Sequence, residues 1–201
     1  MFLEVLALDI SSKCIAKARR ACAHRPNISY RTVDLAAPRV RLPKVDFALC
    51  VNAIITPSIA HRNRMLDVVG RHLRPGSHLV MVVPSLESEF LTDFRLIEWN
   101  LRDGMTPGRA VRSGFRAHRP SNKPRAYEGV VQIDQVDTKH YLKEELVVLL
   151  ENRGLRILEI EKIEYPWTTE FTTPPRWMQA PHPWDWLVVA RKSNGDKKPP
   201  H

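Results

Sequence analysis

Apolar segments of five to seven residues alternate with amphipathic segments through the first half of the chain. Each apolar segment is nearly continuous, as in strands buried on both faces of a parallel sheet. The predicted strands are residues 3–8, 28–33, 46–51 and 78–83. Apolar residues at helical spacing predict helices over about 12–23 and 58–73. Strands alternating with helices of this length indicate an α/β fold with a mostly parallel sheet.

The pattern changes after residue 85. A predicted helix over about 85–100 leads into a basic segment, 102–128, whose composition predicts a flexible insertion. An alternating strand is predicted over 129–136, followed by a helix capped by Asp137 or Thr138. The last two predicted strands, 155–163 and 184–190, have no helix between them, so we expect them to be antiparallel. We expect one domain over 1–192 and a disordered tail over 193–201.

Polar residues stand where three of the predicted strands end. Asp9 ends the first, Asp34 follows the second and Asn52 follows the third. In doubly wound folds an acid at a strand's carboxyl end is placed to bond the two hydroxyls of a ribose. The alternative, that Asp9 is a plain helix cap or a solvated strand end, is equally compatible with this short pattern.

Composition narrows the class of protein. The chain has 201 residues, of which 43% are hydrophobic, enough for one good core. No apolar run approaches a membrane span and no signal-peptide pattern is found, so we expect a cytoplasmic protein without a membrane partner. The cysteines, Cys14, Cys22 and Cys50, are expected to be reduced core residues. The histidines lack paired ligand spacing, so no metal is predicted.

The net charge of +9 is concentrated in two places. Residues 102–125 hold seven Lys or Arg against one Asp, a local charge of +6. The tail from Arg191 onward adds four more cations against one Asp. A solvated surface is the more common origin of such a run, and binding to an anionic partner is the alternative.

The ordered series of segments resembles the class I S-adenosylmethionine-dependent methyltransferases. The matching pieces are LALDIS, VDLA, VDFALCVNAI, HLRPGSHLVMVVPS, KHYLKEELVVLLENRGLRILEIEKI and WDWLVVARK. Together they cover roughly residues 3–101 and 136–192. The resemblance implies a Rossmann-like sheet, mostly parallel with an antiparallel C-terminal strand, and S-adenosylmethionine as the cofactor.

The same resemblance implies a cofactor-binding set, which consists of Asp9, Ile10, Ser11, Asp34, Leu35, Asn52 and Ala53. By position, Asp9 would bond the ribose hydroxyls and Ile10 would pack on the adenine. Asp34 would accept from the adenine amino group while Leu35 lines the ring. Asn52 and Ala53 would lie beside the methionine portion. A carboxylate that accepts from a diol or an amine is chemically suited to these roles.

One part of the family pattern is missing. Class I methyltransferases begin with a strand and a glycine-rich turn that receives the methionine end of the cofactor, whereas Met1 stands directly before the counterpart of their second strand. The missing strand is central in the family sheet and would leave two unpaired edges. Three alternatives follow from this gap. The two strand edges close on each other, another segment or chain fills the gap, or the native protein is longer. We therefore expect an N-terminally truncated methyltransferase whose activity is in question.

The acceptor side of the site is less defined. His61, His140, Tyr141, Tyr165 and Trp167 could face a pocket above the strand ends, but each is more readily explained as a surface or packing residue, and no catalytic residue is assigned. The segment 165–186 holds four of the five tryptophans. Packing at the sheet edge is the simpler explanation, and an apolar lid over a small acceptor is the alternative.

Three functions compete. The first is methyl transfer to a small molecule, and the second is a non-catalytic module that binds RNA or an acidic partner through residues 102–125. Few aromatic residues accompany that basic segment, which weakens single-strand recognition. The third is a nicotinamide-dependent enzyme, which Asp9 would suit, although no GxGxxG motif is found. The oligomeric state is not predicted.

Overall fold

The structure is a computed structural model that describes residues 2–114, 128–133 and 135–194. Contacts along the chain divide it into two compact units, Met1–Pro43 and Lys44–His201. Residues 195–201 of the predicted tail and residues 115–127 of the predicted basic insertion lie outside the described residues.

The first unit is a single β-α-β element. Strand β1, Val5–Asp9, leads into helix α1, Ser12–Ala21, and then into strand β2, Ile28–Thr32. The two strands pair in parallel, and α1 begins where the Ser11 hydroxyl accepts from the Cys14 amide. The carboxyl ends of both strands therefore meet at one edge.

The second unit is built on a four-stranded sheet in the order β3-β4-β8-β7. These strands are Val45–Val51, Leu73–Pro84, Trp184–Lys192 and Leu155–Glu164, respectively. Strands β3 and β4 are parallel, and β8 is antiparallel to both of its neighbours. A separate hairpin consists of β5, Val130–Ile133, and β6, Val136–Lys139.

Four helices and one short 3₁₀ helix complete the described part of this unit. They are α2, Ile59–His72; α3, Leu86–Arg102; α4, Pro107–Gly114; α5, Lys143–Glu151; and the 3₁₀ helix Trp167–Thr169. The core lies on one face of the sheet, where alternate residues of β4 and β8 are buried together with leucines of α2 and α5. Its fully buried members include Leu66, Leu79, Val83, Leu146, Leu150, Val188 and Ala190.

The predicted fold class is confirmed. The first four strands form two parallel pairs, and the last strand enters the sheet antiparallel, between β4 and β7. In the described part of the chain, β1 pairs only with β2 and β3 pairs only with β4.

Three local predictions were wrong. Residues 129–136 form not one strand but the first part of a hairpin, which turns at Gln135 with a φ of 66°. Helix α5 begins at Lys143 and not after Thr138, because 136–139 pair with β5. Residues 107–114, predicted to be flexible, form α4, with Ala110 fully buried. In addition, Cys14 is exposed and is not a core residue.

Candidate active site

Asp9 lies at the carboxyl end of β1, where the chain turns into α1. Its Oδ1 accepts from the Ser11 amide at 2.7 Å, and Ser11 in turn caps the helix. In the described part of the chain, Asp9 Oδ2 accepts no hydrogen bond. The side chain of Ile10 beside it is 71% exposed, which is unusual for isoleucine. The local cap thus uses one oxygen of Asp9 and leaves the second available to a ligand.

Asp34 follows β2 at the same edge of the first unit. Its Oδ1 accepts from the Ala36 amide at 2.8 Å, so the carboxylate fixes a tight turn. Thr32 of β2 pairs with Asp9 of β1, so Asp34 lies two residues further along the chain than the partner of Asp9. Asp34 is exposed, while Leu35 is half-buried. Parallel pairing therefore brings both predicted carboxylates to one edge of the sheet.

Asn52 and Ala53 follow β3 in the second unit. Asn52 has a φ of 46°, a left-handed conformation that asparagine adopts more readily than most residues, and its amide donates to Val82 O at 2.9 Å. Asn52 and Ala53 are exposed, whereas Ile54 is 1% exposed. The sharp change of direction after β3 thus presents Asn52 and Ala53 at the carboxyl edge while Ile54 anchors the loop in the core.

Three donors hold consecutive carbonyls of this loop. Tyr141 Oη donates to Ile54 O at 2.5 Å, the Lys139 amide donates to Ile55 O at 2.8 Å, and Arg62 Nη1 donates to Thr56 O at 2.7 Å. The anchoring roles of Arg62 and Lys139 were not predicted. No local sequence signal marks them, since most of these contacts join residues far apart in the chain.

The Lys139 side chain is almost fully buried yet satisfied. Its ammonium donates to Glu145 Oε2 at 2.6 Å and to Glu128 O at 2.7 Å. Burial lowers the pKa of Lys139, and the bond to Glu145 opposes that change. Burial also raises the pKa of Tyr141 above its usual range, which keeps its hydroxyl a hydrogen-bond donor to the loop.

A second polar cluster lies at the carboxyl end of β4. His140 Nε2 lies 3.9 Å from Glu89 Oε2, and both side chains are buried. His140 Nδ1 lies 3.2 Å from Thr138 O, so this nitrogen carries the hydrogen. Tyr165 lies at the same end of the sheet, directly after β7. Its pKa is raised, mainly by burial, and its hydrogen bond to Ser88 opposes that change. His140 and Tyr165 thus lie at the predicted edge of the sheet, without an assigned catalytic role.

The two remaining candidates for the acceptor side, His61 and Trp167, lie outside this cluster. His61 is exposed in the first turn of α2. Trp167 is 2% exposed, stacks on Phe171 and donates its indole N–H to Gln179 O. The guanidinium of Arg102 lies 4.0 Å from the ring centre of Trp177. The aromatic segment therefore packs on itself and on α3.

Several known structures similar to this chain are described as methyltransferases. Residues 1–76 match a family model described as a methyltransferase domain. A S-adenosylmethionine-dependent methyltransferase from Methanosarcina mazei has a TM-score of 0.62 and 17% identity, over 94% of this chain and 82% of that protein. One from Mesorhizobium loti has a TM-score of 0.60 and 20% identity, over 94% of this chain and 81% of that protein. This chain has the class I methyltransferase fold.

A third similar structure contains a cofactor product. An N-methyltransferase from Bradyrhizobium japonicum, in complex with S-adenosyl-L-homocysteine, has a TM-score of 0.55 and 12% identity, over 94% of this chain and 66% of that protein. No curated protein matches the chain. The resemblance to class I methyltransferases is confirmed, and the predicted cofactor agrees with these relatives. Among the described residues, no helix is long and apolar enough to cross a lipid bilayer.

Proposed function

We propose that this chain is a S-adenosylmethionine-dependent methyltransferase that acts on a small molecule. The observation that carries the proposal is the pair of carboxylates, Asp9 and Asp34, at one edge of a parallel β-α-β element within the matched methyltransferase segment. Each uses one oxygen for a local turn, and Asp9 retains a second oxygen for a ligand. An adenine nucleoside has two ribose hydroxyls and one exocyclic amine, which can donate hydrogen bonds to two carboxylates placed in this way.

The proposed contacts follow the order of the strands. Asp9 Oδ2 accepts from the ribose, with Ser11 and its amide fixing the carboxylate from behind. Ile10 covers the adenine, which accounts for its exposure in the free protein. Asp34 accepts from the adenine amine and Leu35 lines the ring. Bound S-adenosylmethionine supplies an activated methyl group, so the protein acts chiefly by aligning the acceptor.

Asn52 and Ala53 are proposed to contact the methionine portion. The carbonyls of the next three residues are anchored by Tyr141, Lys139 and Arg62, so the loop is fixed before ligand arrives. A fixed loop reduces the entropy that ordering would otherwise cost on binding.

The carboxyl end of β4 carries both acidic and basic side chains. The carboxyl side chains here belong to Glu87, Glu89, Asp93 and Asp185. Burial raises the pKa of Asp185. Basic side chains lie there too, since the ammonium groups of Lys143 and Lys162 lie over the rings of Trp186 and Trp184. The alternative function is RNA binding through residues 102–125, of which 115–125 lie outside the described residues.

The first experiment compares ligand binding by the wild type, Asp9→Asn and Asp103→Asn. Asparagine keeps an oxygen that can accept from the Ser11 amide, so Asp9→Asn removes mainly the charge. We expect calorimetry to show a Kd for S-adenosylhomocysteine raised at least about tenfold in Asp9→Asn. Asp103 is exposed at the end of α3, and its replacement should leave the Kd unchanged.

Thermal unfolding provides a second readout on the wild type. A ligand at about 100 times its Kd adds ~2.7 kcal/mol to the free energy of unfolding, so S-adenosylhomocysteine should raise the Tm while NAD does not. Absence of any selective shift in the folded protein would overturn the proposed cofactor site. Binding that is equal in the wild type and Asp9→Asn would overturn the role of Asp9 alone.

A further inference from the structure

A row of basic side chains crosses three strands of the second unit. In the sheet register, His78 of β4 lies opposite Arg191 of β8, and Arg191 lies opposite Arg156 of β7. Residues paired in this way project from the same face of a sheet, about 5 Å from one strand to the next. All three residues are exposed. The row therefore places two arginines and a histidine side by side on the face opposite the main core.

No carboxylate compensates this row in the described structure. Like charges directly opposite each other on neighbouring strands are destabilising. Arg156 and Arg191 form no ion pair with any described residue, although basic residues close in sequence, Arg74 and Arg153, pair with Asp46 and Asp67. Repulsion between the neighbouring arginines therefore lowers the free energy of unfolding, and a bound anion would offset that repulsion.

A cavity of about 150 Å³ lies beside the row and is lined by Arg156, Arg191, Lys192, Ser193 and Asn194. Arg191 Nε donates to Gly76 O at 3.1 Å, which fixes the guanidinium and leaves its terminal nitrogens available. The cavity is larger than the ~30 Å³ share of one water molecule and so has room for a small ion.

The ammonium groups of Lys192, a residue that lines the cavity, and of Lys44 are bonded to backbone carbonyls. Lys192 Nζ donates to Arg153 O at 2.9 Å, and Lys44 Nζ donates to Arg71 O at 2.5 Å. Burial and the charge of Lys44 lower the pKa of Lys192. Both ammonium groups are therefore held by backbone carbonyls and are not neutralised by carboxylates.

We propose that this cavity binds a small anion that carries a phosphate group. Guanidinium groups donate pairs of parallel hydrogen bonds to phosphate oxygens, and the side chains of Ser193 and Asn194 supply neutral donors. The site lies at the amino end of β4. Since β3 and β4 are parallel, it is at the opposite edge of the sheet from Asn52, and it is independent of the proposed methyl transfer.

The test measures pyrophosphate binding to the full chain by calorimetry and by amide chemical shifts, at constant ionic strength. We expect saturable binding at one site, with shifts centred on Arg191, Ser193 and Asn194. The variant is Arg156→Glu, since the side chain of Arg156 forms no hydrogen bond or ion pair within the described residues. The matched control is Arg176→Glu, which makes the same charge change at another exposed arginine.

The proposal requires that Arg156→Glu weaken pyrophosphate binding at least about tenfold while Arg176→Glu leaves it within twofold. Equal weakening by both variants would show a general charge effect and overturn the site. Binding of a single-stranded oligonucleotide without binding of pyrophosphate would also overturn it, in favour of an extended polyanion surface. S-adenosylhomocysteine binding, measured in parallel, should not change in either variant, so failure here is distinguishable from failure of the proposed function.

Discussion

Tyr141 shows how a single residue can serve the site without touching a ligand. Its hydroxyl bonds Ile54 O, 87 residues away in the chain, and its amide donates to Pro84 O at the end of β4. The loop that carries Asn52 is therefore tied to the segment that precedes α5. The sequence identified Tyr141 only as one aromatic candidate near the strand ends, because hydrogen bonds between distant residues leave no local pattern.

Replacing Tyr141 by phenylalanine should loosen this loop. The change removes one buried hydrogen bond and leaves Ile54 O without its donor, which costs about 1–2 kcal/mol of unfolding free energy. Urea denaturation gives the free energy of unfolding, and amide hydrogen exchange of Ile55, Thr56 and Ser58 reports on the loop. In Tyr165→Phe, whose hydroxyl bonds Ser88, exchange in this loop should match the wild type. Unchanged loop exchange in Tyr141→Phe would contradict the anchoring role.

Helix α4 is the element on which the sequence and the structure differ most. Composition predicted a flexible insertion, because 102–128 is basic and rich in glycine and proline. The structure shows that Ala110 and Gly114 bury one side of an eight-residue helix against α3. Small residues allow this close approach, and their spacing of four is helical. A small-residue face gives only a weak hydrophobic signal, so composition misled the prediction.

The two glycines of α4 provide a matched pair of substitutions. A Cβ at Gly114 would overlap Ile97 Cγ1 on α3, whereas a Cβ at Gly108 would lie 3.5 Å from the flexible end of Arg112. We expect Gly114→Ala to lower the free energy of unfolding by about 1–3 kcal/mol through overpacking. Gly108→Ala should be neutral or should stabilise by up to ~1 kcal/mol through helix propensity. Urea denaturation separates them, and equal effects would contradict the close packing.

At the scale of the whole molecule, the two edges of the four-stranded sheet differ. Strand β7 is an edge rich in charged residues, whereas β3 carries Leu49 and Val51, which are 60% and 55% exposed. Charged side chains protect an edge against pairing with other chains, and apolar ones do not. Among the described strands, β3 pairs only with β4, so its other edge is unpaired and has an apolar surface beside it.

A lysine on β3 should therefore reduce self-association. We expect Leu49→Lys to slow aggregation on mild heating, followed by light scattering, without lowering the Tm by more than a few degrees. Leu158→Lys is the matched control, because Leu158 is 45% exposed on the edge that is already charged. Equal slowing by both variants would show a simple effect of net charge rather than of the β3 edge.

The sequence by itself determined the elements whose signals are local. Continuous apolar runs, helix caps and the acids at strand ends predicted β1 to β4, α1 and α2, and the positions of Asp9, Asp34 and Asn52. Such features depend on neighbours within a few residues, which is the range over which periodicity and capping act.

Only the tertiary structure decided the features that join distant residues. Pairing with β5 made 136–139 a strand in place of a helix start, and the loop after β3 gained its three donors from α2 and from 139–141. The alignment of His78, Arg191 and Arg156 depends on the register of three strands. Register and long-range hydrogen bonds are set by packing across the sheet, and a linear pattern does not encode which strands become neighbours.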